Sequence, residues 1–263
     1  MDENTGCKNM RIPTFFKIRG KVNRIYYLKS KLYPNLISSD ELISYLRYKG
    51  IEIGNKTIFF DPANTTIDIQ RPWMIKIGEY CKITSGVVIL AHDYSRSVLR
   101  RKYSSILCEA KETNIGDNVF IGMNSIILMG TRIGNNVIVG AGSVVSGEFP
   151  NDVVIGGNPA RIICSLEKYF QKRKSSQVEE AKIYARKYYE KYKKMPSIKE
   201  MGAFFYLFIK REYNELKKYD IFTAWNGDCE KEIIESFLSS KPEFESYEHF
   251  IEAVKSDIDY NEP

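Results

Sequence analysis

The sequence is poor in the residues that build metal cages, disulfide frameworks and membrane spans. Of 263 residues only two are histidines, His92 and His249, and five are cysteines: Cys7, Cys81, Cys108, Cys164 and Cys229. An odd cysteine count with no CxxC pair suggests neither a thiolate zinc cage nor a disulfide framework, and it fits a reducing, cytoplasmic setting. The longest apolar run, residues 202–209, is far short of the roughly 20 residues that cross a bilayer as a helix. The opening MDENTGCKNM has no apolar segment behind a basic start, so it does not read as a secretory leader. The basic residues follow no nucleic-acid-binding motif, and nucleic acid is not an expected partner.

What is present is a globular composition, 43% hydrophobic and 27% charged, with material for one large domain or two small ones. The net charge of +6 hides an asymmetry. Lys and Arg minus Asp and Glu gives +6 for residues 1–50, +1 for 51–164, +8 for 165–219 and −9 for 220–263. Solvated helix faces account for such blocks. The alternative is a basic surface that holds an anionic glycan or lies near phospholipid headgroups.

The most informative feature is a six-residue period. Ile115, Ile121, Ile127, Ile133, Val139 and Val145 each open a hexad, and the fifth positions are Val119, Ser125, Thr131, Val137 and Ser143. This predicts an unbroken phase over 115–150. A fixed short period signals a solenoid, in which each hexad is one short strand plus a corner. Strands then stack on those eighteen residues away, at about 4.8 Å, and bury a column of aliphatics that one turn could not bury alone. The period also holds at Ile77, Ile83 and Ile89. It is interrupted between Phe59 and Ile75 and again over 93–114, the second gap reading as a loop thrown out of one corner.

Three regions follow: an N-terminal helical segment 1–50, a β-helix domain 51–164 containing the excursion 93–114, and a C-terminal helical region 165–263. A capping box, Ser38 with Glu41, opens a helix that stops at Gly50. Ahead of it Phe15, Phe16, Ile25, Tyr26 and Tyr27 alternate with Lys17, Arg19, Lys21 and Arg24, a mixture suited to packing on the solenoid end or to lying on a membrane surface. Capping boxes at Ser176/Glu179 and Ser197/Glu200 predict helices over 177–194 and 198–218. Asp228 and Ser246 start two more, ending near Ser239 and Ser256.

The residues Ile67-Asp68-Ile69-Gln70-Arg71-Pro72-Trp73, Ile77-Gly78 and Ile83-Thr84-Ser85-Gly86-Val87-Val88-Ile89-Leu90-Ala91-His92-Asp93 resemble the hexapeptide-repeat sugar O-acetyltransferases. Val119-Phe120-Ile121-Gly122-Met123-Asn124-Ser125, Gly140-Ala141-Gly142-Ser143-Val144-Val145 and Gly156-Gly157-Asn158-Pro159-Ala160-Arg161 continue the match, which spans residues 67–164. That family includes galactoside and maltose acetyltransferases and those of capsule, exopolysaccharide and lipopolysaccharide assembly. The resemblance implies a mostly β chain built on a left-handed parallel β-helix. It also implies a homotrimer with active sites between subunits, and acetyl-coenzyme A as donor with no metal.

His92 coincides with the family's catalytic histidine and leaves the coil three residues past Ile89. A sugar hydroxyl must lose its proton as it attacks a thioester, and an imidazole titrating near neutrality suits that task. His249 reads as structural. A base usually needs an orienting partner: Asp68, one coil earlier, is the first candidate because the resemblance implies an acceptor-binding or orienting acid in that region, and Asp93 is the second. Both acids, with Arg71, are also candidate acceptor contacts, and Asp68 could instead pair with Arg71. By the resemblance, the Met123 amide receives the thioester oxyanion, Ala141 lies on the same corner eighteen residues on, Ser146 and Gly147 extend the pantetheine track, and Arg161 meets the nucleotide phosphates.

Two departures stand out: Ser146-Gly147 replaces a threonine-lysine pair common in the family, and Cys164 stands where a second arginine often lies. Arg96, Arg100, Arg101 and Lys102 either compensate, grip an anionic acceptor, or form a solvated charge run. A zinc carbonic anhydrase on the same repeat fails because three histidine ligands are needed. The alternative, a nucleotide-sugar N-acetyltransferase, usually carries an N-terminal α/β domain that residues 1–50 do not show, and a non-catalytic scaffold would not need His92. The expected acceptor is a saccharide in surface polysaccharide assembly, anionic or lipid-linked, met in the cytoplasm or at the inner face of the membrane.

Overall fold

The structure is a computed structural model that describes residues 21–219 and 228–259. Phe15, Phe16, Lys17, Arg19 and Cys7 lie outside the described residues. Two helices come first, α1 (Lys21–Leu32) and α2 (Ser39–Lys49). The second opens as expected: Glu41 N–H donates to Ser38 Oγ at 3.2 Å, and Ser38 N–H donates to the Glu41 carboxylate at 2.8 Å. It ends at Gly50, whose φ of +107° is the left-handed cap that glycine adopts without strain.

Short strands then follow in threes. The first turn holds β1 (Glu52–Ile53), β2 (Ile58–Phe59) and β3 (Thr66–Ile67); the second holds β4 (Ile75–Ile77), β5 (Lys82–Ile83) and β6 (Val88–Ile89). The third has β7 (Thr113–Ile115), β8 (Phe120–Ile121) and β9 (Ile126–Ile127); the fourth has β10 (Arg132–Ile133), β11 (Ile138–Val139) and β12 (Val144–Val145). Last come β13 (Glu148–Phe149), β14 (Val153–Gly157) and β15 (Ala160–Ser165). Every third strand pairs in parallel, giving faces β1-β4-β7-β10-β13, β2-β5-β8-β11-β14-β15 and β3-β6-β9-β12. Among the described strands only β15 runs antiparallel, folding back on β14.

The eighteen-residue stacking holds where the hexads are intact: Ile133 pairs with Ile115, Val139 with Ile121 and Val145 with Ile127. It fails at the end of the expected 115–150 run. Phe149 pairs with Ile133 at an offset of sixteen, because the corner after Val145 is two residues shorter than its predecessors. The phase-opening aliphatics form the core as expected: Ile121, Ile127, Val139 and Val145 are fully buried. Thr131 shows how a hydroxyl is accommodated there, donating to the Leu128 and Val145 carbonyls at 2.6 and 3.0 Å.

Corners are set by left-handed residues at repeated positions. On the corner between the first and second faces these are Lys56, Tyr80, Asn118, Asn136 and Asp152, with φ between 54° and 60°. Asparagine tolerates this region best, and its amide adds a ladder: Asn118 donates to Asn136 and Asn136 to Asp152, both at 2.9 Å.

Several sequence expectations are corrected. The gap 59–75 is not a plain interruption, since β3 lies inside it between two 3₁₀ turns, Pro62–Asn64 and Pro72–Met74. The excursion 93–114 carries a helix, α3 (Arg96–Tyr103), and its last two residues already belong to β7. "Mostly β" describes only the middle of the chain. The 27-residue α4 (Leu166–Tyr192) starts at the Ser165 cap, so Ser176 lies inside a helix already running. Ser197 and Glu200 form their reciprocal bonds, yet the chain continues as a 3₁₀ turn (Gly202–Leu207) and a short α5 (Tyr213–Lys218). Gly202, at φ +54°, breaks any continuous α-helix there. The last two described helices are α6 (Glu230–Ser239), with Cys229 rather than the expected Asp228 at the N-cap position and no side-chain cap bond, and α7 (Tyr247–Asp259), which runs past Ser256.

Two hydrophobic clusters result. One joins Leu42, Ile43 and Leu46 of α2 to the strand interior, with Tyr26 stacked on Tyr45 at 4.1 Å beside it. The other is wholly C-terminal and includes Ala181, Ala185, Phe205, Leu207, Phe250 and Val254. The apolar run 202–209 is therefore core, not surface. Lys56–Glu232 at 2.8 Å and Lys82–Asp228 at 3.1 Å tie the α6 end to the coil.

Candidate active site

β3 and β6 are ladder neighbours, with Ile67 paired to Ile89. The chain leaves both strands at the same corner, which puts Asp68 and His92 side by side, 24 residues apart in sequence. Both are buried, and Asp68 Oδ2 bonds His92 Nδ1. Asp68 also accepts the Ala91 N–H through Oδ2 at 3.2 Å and the Gln70 N–H through Oδ1 at 2.9 Å. A carboxylate with three donors is fully satisfied, which makes its burial tolerable. An ionised carboxylate only accepts, so this bond favours the tautomer with its proton on Nδ1, and in the neutral ring of that tautomer Nε2 carries the lone pair. Nε2 is buried and has no hydrogen-bond partner among the described residues.

Two further side chains complete this corner. The Tyr94 ring stands edge-on to His92 with centroids 5.2 Å apart. Its hydroxyl accepts from Gln70 Nε2 at 2.9 Å and donates to Gln70 Oε1 at 3.1 Å. Neither residue was singled out from the sequence. The signal existed: Gln70 and Tyr94 are also 24 apart, each two residues past a member of the Asp68–His92 pair.

The other predicted residues divide. Asp93 does not orient His92. Its carboxylate accepts from the Ser95 N–H at 2.9 Å and the Ser95 hydroxyl at 2.7 Å, the hydroxyl bond foremost in holding its pKa below the ordinary range. Nor does Arg71 pair with Asp68. It donates to the Glu109 carbonyl at 2.5 Å and so pins the end of the excursion. Met123 and Ala141 do share a corner, where Gly142 N–H donates to Met123 O at 2.7 Å, and both are exposed. That corner joins the second and third faces, whereas His92 lies where the third face passes to the first. Ser146 and Gly147, expected to extend the pantetheine track, follow β12 and lie on the corner where the third face passes to the first, the same as His92. Arg161 is exposed on β15 and donates to its own Ala160 carbonyl at 2.8 Å. His249 is exposed and lies edge-on to Phe244 at 5.6 Å.

A family model described as bacterial transferase hexapeptide (six repeats) matches residues 112–147, the most regular part of the coil. Protein CapG of Staphylococcus aureus is 43% identical over 139 residues, covering 53% of this chain and 80% of CapG. The chain belongs to the hexapeptide-repeat transferases. A putative acetyltransferase of Bacillus subtilis, YvoF, is 33% identical over 132 residues, covering 50% of this chain and 70% of its own. Among solved structures, the hexapeptide-repeat acetyltransferase VCA0836 of Vibrio cholerae, complexed with acetyl-coenzyme A, is 26% identical, with 54% of this chain and 86% of that one covered at a TM-score of 0.40. As a member of the family, this chain is a transferase. Among the described residues no group of three or more His, Cys, Asp or Glu side chains could hold a metal ion, and no helix is long and apolar enough to cross a membrane.

Proposed function

We propose that the protein is an acetyl-coenzyme A-dependent O-acetyltransferase that uses His92 as general base on a saccharide hydroxyl. The observation that carries this reading is the Asp68–His92 pair, which leaves one imidazole lone pair uncommitted at a corner of the coil. The family membership and the likeness to YvoF support the acetyl donor. In the reaction the hydroxyl oxygen attacks the thioester carbonyl while His92 Nε2 takes its proton. The carbon–sulfur bond then breaks, and the imidazolium returns the proton to the leaving thiolate. Asp68 holds the ring in the required tautomer and stabilises the imidazolium that forms.

The oxyanion needs backbone donors, and the Met123 amide is our candidate, with Ala141 along the donor groove and Arg161 at the phosphates. Met123 and His92 occupy different corners of one chain. A site that uses both is completed by a neighbouring copy, which supports a homotrimer with sites between subunits. We read the coil as a left-handed β-helix and keep 1–50, 51–164 and 165–263 as the working domains. Acceptor contacts fall to residues around Asp68, and Ser146 and Gly147, on the His92 corner, extend the track of the pantetheine arm. Surface polysaccharide assembly, on a lipid-linked or anionic acceptor at the cytoplasmic face of the membrane, is the setting we favour.

The test is thiol release from acetyl-coenzyme A with a panel of oligosaccharides. Acetyl transfer that falls by about 10²–10⁴ in His92→Ala supports the base; near wild-type transfer by that variant with the true acceptor would refute it.

A further inference from the structure

The uncommitted nitrogen is also covered. A base must be reached by the proton it abstracts, yet His92 Nε2 is shut off from solvent and bonds nothing among the described residues. The ring on this corner that can close it is Tyr94. It is edge-on to the imidazole, 62% exposed, and tethered to the fold through its hydroxyl by both amide atoms of Gln70. Gln70 is itself exposed. The tether therefore faces water, where water or a sugar hydroxyl can replace either bond.

We propose that Gln70 and Tyr94 form a latch that closes the His92 nitrogen until the acceptor opens it. This rests on His92 being the base. An acceptor carries the hydroxyls that compete for the Gln70 amide, and Tyr94, at the root of the 93–112 excursion, can swing outward without disturbing the buried core. Gln70 and Tyr94 are thus positioning residues for acceptor entry. Their backbones are anchored on the catalytic pair itself, Gln70 through its N–H to Asp68 and Tyr94 two residues past His92.

Carbethoxylation tests the latch without acetyl transfer. Diethyl pyrocarbonate reacts with an accessible neutral imidazole nitrogen: an N–C bond forms, the anhydride C–O bond breaks, and ethanol and carbon dioxide leave. In a His249→Gln background His92 is the only histidine, so its modification rate is read alone, and the wild type and every variant are compared at one pH. The latch predicts that His92 reacts at least tenfold more slowly than N-acetylhistidine. Gln70→Ala and Tyr94→Phe, each removing the tether but keeping the ring or its site, should speed the reaction about fivefold, and Tyr94→Ala should speed it further. Tyr94→Phe is the decisive variant, because a ring that merely packs would leave its rate unchanged. A wild-type rate near that of the free imidazole, or unchanged rates in both tether variants with native circular dichroism, would overturn the proposal. Absence of acetyl transfer with every acceptor would instead overturn the proposed function, and the modification rates would still judge the latch.

Discussion

Asp68 accepts the Nδ1 proton of His92 because the strands before them, Thr66–Ile67 and Val88–Ile89, are neighbours in one parallel ladder. The pairing is thus a product of backbone register, and the chemistry at the corner inherits the rigidity of the coil.

Asp68→Asn keeps the shape of the pair but offers the imidazole an amide that can present N–H to Nδ1 and so favour the wrong tautomer. We expect kcat for acetyl transfer to fall by roughly 10²–10⁴ with an unchanged thermal midpoint. Steady-state kinetics that leave kcat within threefold of wild type would remove Asp68 from the mechanism.

Glycines separate by what surrounds them. A Cβ on Gly122 would stand 2.5 Å from the Ala141 amide nitrogen of the next coil, whereas one on Gly142 meets nothing within 4 Å but sits at φ +68°. Gly122→Ala should therefore cost about 3 kcal/mol by forcing coils apart, and Gly142→Ala about 1 kcal/mol from backbone strain alone. Denaturant unfolding of the two variants gives the comparison, and the reverse order would contradict the coil spacing.

Ile127 is fully buried in the column it shares with Ile89 and Val145. Truncation to alanine leaves a cavity that flanking strands of fixed spacing cannot collapse into, so we expect a loss of about 2–5 kcal/mol. A loss under about 1 kcal/mol, measured in the same way, would mean that the column relaxes.

Glu200 carries an acid-sensitive contribution to the C-terminal helices. The Ser197 N–H first, then the Tyr188 hydroxyl, hold its carboxyl down to about 2. A group depressed in the folded state stabilises above its unfolded pKa and loses that stabilisation as pH falls toward the folded value. Wild-type thermal midpoints should accordingly drop between about pH 5 and pH 2 more steeply than those of Glu200→Gln. Parallel profiles over that window would contradict the assignment.

Much of the coil was legible because its signal is periodic: Ile115 to Val145 repeat often enough that register follows by counting. The Asp68–His92 pair was legible through the family resemblance and not by counting, since Asp68 lies in the interruption 59–75. Counting also gives the corner a residue occupies: Ser146 follows Val145 as Leu128 follows Ile127, so the phase of three strands per turn puts it on the same corner as His92. Helix boundaries failed for a local reason. The Ser176/Glu179 pattern has the form of a start signal, but cap chemistry says nothing about whether the chain is already helical, and Ser165 had opened α4 eleven residues earlier. The C-terminal core was illegible as function because its contacts, such as Phe205 on Phe237, join segments that share no period.

The corner that carries His92 is also where the coil's length varies most. From the last residue of each third-face strand to the last residue of the next first-face strand, the chain takes 10 positions (Ile67 to Ile77), then 26 (Ile89 to Ile115), 6 (Ile127 to Ile133) and 4 (Val145 to Phe149), while the strands on either side keep their partners. One edge of the molecule thus accepts insertions and deletions without a register penalty. Substrate preference in such a framework can be rewritten by splicing at that edge, independently of the hydrophobic column that keeps the protein folded.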